Sequence, residues 1–402
     1  MSVTMNTGAI KKYFPATQTE FESSKGSAKA ASYEPSVSVS AKLHYETPYY
    51  QIPVYPTNTT AAIGKANYTA FMFAANEVVN AIASKTGADE NIVGRALQYG
   101  ITVPLGLFQG IVQHETGHGY RYWEQGVPVE YEFGVTNGRT CPQSDKELPL
   151  EARILMNGGG FEGNHALTNY IADQTMLYGG DARNSFLYFA NKLNQTYYIA
   201  VGPYARGEHK DNNDVYNYVE NMTELGGGDP GFTRDDIRFG AYWNLADPTT
   251  LLTLYNSLRY VATGEKRYDI PDFLPRTGFL LTPLGPEYYF STPFRYNKTL
   301  FDPYFRMAVN SDGNSYGGGV HMKNINLDKR ISMDADVDVW VQDKELGGMF
   351  KDVVYFPINN GMELGIGGSA KSRGYVPGQP LDAYYGFVVD TKIEDVRFSA
   401  RE

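Results

Sequence analysis

Three residues of the chain can do chemistry together. His114, Glu115 and His118 stand in the order His-Glu-x-x-His. At about 3.6 residues per turn, positions four apart lie one above the other on one face of a helix. Two imidazoles so placed can hold one divalent cation, and the carboxylate between them can act on a water that the cation activates. The surrounding pattern supports a helix over residues 105–125. Leu107, Phe108, Ile111 and Val112 precede the motif, Pro104 suits a first helical turn, and Gly126 suits a stop. Gly117 and Gly119 leave space beside the motif.

Two histidines leave a tetrahedral Zn2+ short of a third protein ligand. Cys141 is the only cysteine, so no Cys-based zinc site and no intrachain disulfide can form, and the third ligand should be His, Glu or Asp. The stretch after Gly158-Gly159-Gly160 is the place to look. Glu162, Asn169 and Asp173 share one face of the helix expected over residues 161–178, with His165 to one side. Glu162 is the leading candidate and His165 the alternative. Asn169 and Asp173 are candidates for orienting the ligand histidines through their second ring nitrogen. The bland alternative for Glu162 is a solvated carboxylate favoured by a helix N-terminus. The triglycine would let this segment pack closely on the metal helix.

The run His114-Glu115-Thr116-Gly117-His118 resembles the zinc signature of the zincin metallopeptidases, and with Glu162 it is most similar to the branch whose third ligand is a glutamate. The resemblance implies zinc on His114, His118 and Glu162, Glu115 as general base, and a peptide or protein substrate. It covers this one helix and, loosely, the next. After His118 the chain reads Gly119-Tyr120-Arg121-Tyr122-Trp123 with no further His, the gap to Glu162 is long, and position 166 is Ala. An oxyanion donor would come from Tyr120, Tyr122, Tyr170, Tyr178, Arg206 or His209. His209 would otherwise be an ordinary loop histidine, and His44 and His321 ordinary strand residues.

The balance of 35 Lys+Arg against 45 Asp+Glu, a net charge of -10, speaks against a nucleic-acid partner, since no basic surface would replace counterions. The 32 Tyr and 42 Gly among 402 residues suit an extracellular or outer-membrane β-protein. Residues 1–34 are poor in large apolar side chains and read as a mobile segment without a signal-peptide core, as a mature exported protein would. No apolar run is long enough for a transmembrane helix. Residues 35–60 hold a first strand, 37–43, with clean alternation, and a connection. Residues 61–275 read as a helical domain: helices over 65–85, 91–99 (capped by Asp89), 105–125, 150–156, 161–178, 181–201, 215–225 and 233–262, with a polar loop at 203–214.

From Thr277 the apolar period changes to two. Ile331, Met333, Ala335, Val337, Val339 and Val341 share one side of a strand; Ser332, Asp334, Asp336, Asp338 and Trp340 share the other. Similar runs recur to residue 393, separated by turn signals at 311–314, 346–348, 359–361 and 377–380. The expected class is α+β: a helical metallopeptidase-like domain, with residues 276–402 forming an antiparallel β-meander or, with strand 37–43, a small β-barrel. Two locations fit this alternation. One is an outer-membrane barrel with lipid contact, at the surface of a bacterium; the other is a soluble sheet packed on the helices. Two functions follow: a zinc metallopeptidase, or a non-catalytic outer-membrane or surface protein whose helical domain a metal stabilises.

Overall fold

The computed structural model describes residues 3–5, 37–42, 50–53, 91–134, 137–202, 213–268, 270–311, 313–328, 331–342, 344–359 and 362–394. Its class is α+β, with a helical layer set against a large sheet. The helices are α1 (Ile92–Glu124), α2 (Leu150–Tyr178), α3 (Ala182–Ala200), α4 (Asp214–Leu225), α5 (Arg234–Ala241) and α6 (Pro248–Thr263). The helix expected at 65–85 and the loop histidine His209 lie outside the described residues.

The helices expected at 91–99 and 105–125 are one element. Asn91, rather than Asp89, caps α1, its side chain accepting from the Gly94 N–H at 2.8 Å. Pro104 lies inside the helix, not in its first turn. Its missing N–H removes one backbone bond but does not stop the helix, because the turns on either side are held by packing on other helices. The triglycine likewise does not interrupt α2, which runs unbroken through it. Each interior glycine costs about 1 kcal/mol of helix propensity, and contact is what it allows here. A Cβ at Gly117 of α1 would lie 2.2 Å from the Gly159 carbonyl oxygen of α2. The region 233–262 is split in two, since Asp247 caps a new helix that starts at Pro248.

One apolar core joins these pieces. Ile154 and Phe161 of α2, Ile199 and Ala200 of α3, and Val215, Tyr218 and Met222 of α4 pack with Ile237 of α5 and with Phe279–Leu281. The α4 residues recur at helical spacing, so burying them fixes α4 against α2. A small sheet of β1 (Val3–Met5), β4 (Val129–Phe133) and β5 (Gly138–Pro142) flanks α1. Val129, Tyr131 and Phe133 alternate inward against Phe108, Ile111, Val112 and Tyr122.

The large sheet has 11 strands. Strands β8 (Arg276–Thr282), β9 (Gly285–Ser291), β10 (Phe294–Tyr296), β11 (Thr299–Ala308), β12 (Ser315–Asp328), β13 (Ile331–Gln342), β14 (Glu345–Asn359), β15 (Met362–Lys371) and β16 (Tyr384–Glu394) form an antiparallel meander. The early strand β2 (Val37–Lys42) joins it beside β16, in parallel, and β3 (Tyr50–Pro53) follows. Among the described residues the end strands β3 and β8 do not pair, so the sheet is open rather than a closed barrel. The turn expected at 346–348 falls inside β14. The hairpin closes earlier, with Lys344 at φ 67°, and Gly347 instead leaves room for the Trp340 indole across the strand pair. A two-residue antiparallel strand pair, β6 (Gly180–Asp181) with β7 (Arg267–Tyr268), ties α3 to the end of α6. No described helix is long and apolar enough to cross a membrane.

Candidate metal centre

The two histidines of α1 do converge. His114 Nε2 and His118 Nε2 lie 3.0 Å apart, and the residue that meets them is Asp214, whose Oδ2 lies 3.2 Å from each. Ligand atoms on one tetrahedral Zn2+ with bonds of about 2.0 Å lie roughly 3.3 Å apart, so this triangle has the right size and donor chemistry for zinc. Among the described residues, these three form the group of His, Cys, Asp or Glu whose ligand atoms all lie within 4.8 Å of one another.

Sequence and packing explain each position. Asp214 is the first residue of α4, behind the N-cap Asn213, whose side chain accepts from the N–H groups of Val215 and Tyr216. A carboxylate there is favoured by the helix dipole, and the apolar core turns this helix end toward α1. His118 is oriented from behind, its Nδ1–H donating to the Met156 carbonyl at 2.5 Å. That bond fixes the tautomer that leaves Nε2 free to coordinate. His114 is flanked by the rings of Phe161 and Tyr198, with centroids 5.1 and 5.0 Å away. The buried Asn164 amide lies 3.5 Å from its Nδ1, and the Asn164 Oδ1 has no protein partner. Turning that amide over would give the oxygen to the His114 Nδ1–H, the bond a coordinating histidine ordinarily makes. Gly160 is the floor: a Cβ there would be 2.4 Å from His114 Cε1.

His118 and the Asp214 carboxylate of the cluster shift one another's titration. Burial disfavours charge on His118, but the Asp214 carboxylate outweighs it by charge and hydrogen bond, with smaller help from Glu115 and the Met156 carbonyl, and the pKa rises to about 9. Burial likewise opposes ionisation of Asp214, yet His118 and His114 hold its carboxyl well below the usual range. A proton on His118 thus does for Asp214 what a metal ion would do for all three groups.

Glu115 is buried beside the centre. Thr140 Oγ1 of β5 lies 2.8 Å from both its Oε2 and its carbonyl oxygen, so a single hydroxyl steers the carboxylate. The Tyr198 hydroxyl donates to Asp214 Oδ2 at 2.8 Å. Tyr122, whose phenol is held protonated by burial and then by the Asp214 charge, is a second phenol near the centre.

The other expected residues are elsewhere. Glu162 does not join the histidines. Arg121 Nε and Nη2 each donate to its carboxylate at 2.8 Å, and the Tyr375 hydroxyl donates to it as well. The same Arg121 also bonds Glu124 and the Gln379 carbonyl. A bidentate buried ion pair is the stronger claim on that carboxylate. His165 is directed to the sheet, its ring 4.7 Å from that of Tyr289 and its Nε2 2.9 Å from the Asn169 amide. Burial, and then Lys192 and Arg276, push its pKa well down. Asn169 therefore serves His165 and not the ligands. Asp173 pairs with Arg276 and Lys323. Tyr170 is buried among Leu167, Ile171, Leu187 and Tyr188, and Tyr120 is held by Glu124. Tyr178, Arg206, His209 and His44 have side chains outside those described, and His321 bonds Asp336 at 2.9 Å.

Sequence reasoning missed Asp214, Thr140, Asn164 and Tyr198. Only Asp214 had a local signal, an Asn cap followed by an acid at the head of an amphipathic helix. No protein-family model, curated protein or solved structure matches the chain.

Proposed function

We propose that the protein is a zinc-dependent peptidase whose metal is held by His114, His118 and Asp214. The observation that carries this reading is the triangle of two Nε2 atoms and one Oδ2 with edges of 3.0, 3.2 and 3.2 Å, built on a helix that also carries Glu115. When bound, Zn2+ supplies Lewis-acid polarisation of a scissile carbonyl and lowers the pKa of a water. Glu115 takes a proton at its carboxylate and returns it to the leaving amine; Thr140, bonded to Oε2, keeps that carboxylate in one orientation. Tyr198 orients Asp214 through its one O–H. Met156 and Asn164 set the imidazole planes. Asp214, with a side chain 23% exposed, is the side from which a substrate can approach.

The test is zinc content and hydrolysis of an unstructured protein such as casein, measured together for wild type, His114→Ala and Glu115→Gln. The reading expects about one zinc per chain with hydrolysis in wild type. It expects loss of both in His114→Ala, and retained zinc with hydrolysis reduced at least about 100-fold in Glu115→Gln. Zinc without hydrolysis in wild type would favour a non-catalytic, metal-stabilised helical domain. Unchanged hydrolysis in Glu115→Gln would remove the general-base role.

A further inference from the structure

The large sheet is inside out for a protein surrounded by water. Cross-strand partners identify its two faces. One row runs Asp302, His321, Asp336 and Lys351 from β11 to β14, alternating in sign. This face also carries Arg306, paired with Glu287 at 2.9 Å, and Arg276, paired with Asp173 and Asp302. These groups are turned toward the helical layer, and most are buried.

The opposite face has rows such as Phe305, Gly318, Val339 and Gly348, or Val320, Val337, Phe350, Ala370 and Tyr385. It is open: Val339 is 55% exposed, Phe350 51% and Phe387 65%. Among the described outward positions of β11–β16, Asp352 is the one carboxylate and there is no Lys or Arg. Charge returns only at the strand ends, with exposed Lys344, Glu345, Arg373 and Asp382 at one end and Asp328 at the other.

We infer that the outward face of β11–β16 is seated in the hydrocarbon region of a lipid bilayer. Three independent features fit that one partner. The charge pattern, a band holding a single carboxylate between charged ends, complements the section of a bilayer from headgroup to headgroup. The strands match its thickness. These six strands have 10, 14, 12, 15, 10 and 11 residues, long against the usual five or six. At about 3.3 Å per residue and a tilt of about 45° they cover roughly 23–35 Å. Tyr316 and Tyr385, on the outward face toward the Lys344 end, sit where interfacial aromatics are expected. The inward face is polar and turned from lipid: Arg276 and Arg306 pair with Asp302 and Glu287 of the sheet, and Lys323 with Asp173 of α2. The β8 end of the sheet is shielded too, all seven of its residues being buried, so its backbone meets protein and not acyl chains.

The experiment is flotation of the full-length protein, purified in detergent and diluted into phosphatidylcholine vesicles. In a Cys141→Ser background, Val337→Cys, Val339→Cys and Asp235→Cys are each labelled with a fluorophore, and quenching by doxyl-labelled lipid is read. The inference expects the protein to float and lipid to quench the labels at 337 and 339 but not at 235. It expects Val339→Arg to lower the vesicle-bound fraction on the order of thirtyfold or more. A protein that stays at the bottom of the gradient would overturn it. So would Val339→Arg floating as wild type does, or a lipid-free, detergent-free dimer that shields the label at 339. The cysteine variants are small changes on an open face, so the quenching result stands even if Val339→Arg fails to fold.

Discussion

Replacing Asp338 by an apolar side chain of similar size should stabilise the protein. Asp338 is on the inward face of β13, 1% exposed, and neither carboxylate oxygen has a hydrogen-bond partner. A buried polar group left without a partner costs about 1–3 kcal/mol. Asp338→Val removes both oxygens with little change in shape, so the unfolding free energy should rise by about 1–3 kcal/mol. Denaturant titrations of both proteins in the same detergent, followed by tryptophan fluorescence with Trp340 two residues away, read it directly. A variant no more stable than wild type, or less stable, would refute the argument and mean that the Asp338 carboxyl has a partner.

Other outcomes follow from the same geometry. Glu162→Gln should leave zinc content unchanged but destabilise the fold by about 1.5–3 kcal/mol, because it takes the charge from the bidentate pair with Arg121 while Glu124 still faces the guanidinium; atomic absorption and denaturant midpoints check both halves. Gly160→Ala should weaken zinc binding at least tenfold although it favours the helix, since its Cβ would press on His114 at 2.4 Å; competition with a zinc chelator measures it. Tyr198→Phe should lower zinc affinity by about 10- to 100-fold through loss of the bond to Asp214 Oδ2, without unfolding the chain; the same competition assay and far-UV circular dichroism decide it.

The sequence was informative where one element carries a periodic pattern. The His-Glu-x-x-His spacing put both imidazoles on one side of α1, and the strict alternation from Ile331 to Val341 separated an aspartate side from a valine side as the sheet does. The close approach of α1 and α2 was foreseeable from the triglycine, although the glycines were expected to break the helix that they instead let pack. Tertiary choices were not legible. Glu162 and Asp173 occupy the expected polar line on α2, but which cation each meets depends on Arg121 reaching across from α1 and Arg276 from β8. Asp214 lies 96 residues beyond His118 by their numbers, and only the burial of Val215, Tyr218 and Met222 brings it back. Thr140 and Asn164 act through single hydrogen bonds, for which a sequence has no periodic signature.

The most direct test of the metal centre is the zinc stoichiometry of the purified wild type beside Asp214→Ala. The account predicts about one zinc per chain in wild type and none retained after dialysis in Asp214→Ala. Full zinc in Asp214→Ala, or a wild type that takes up none, would contradict it.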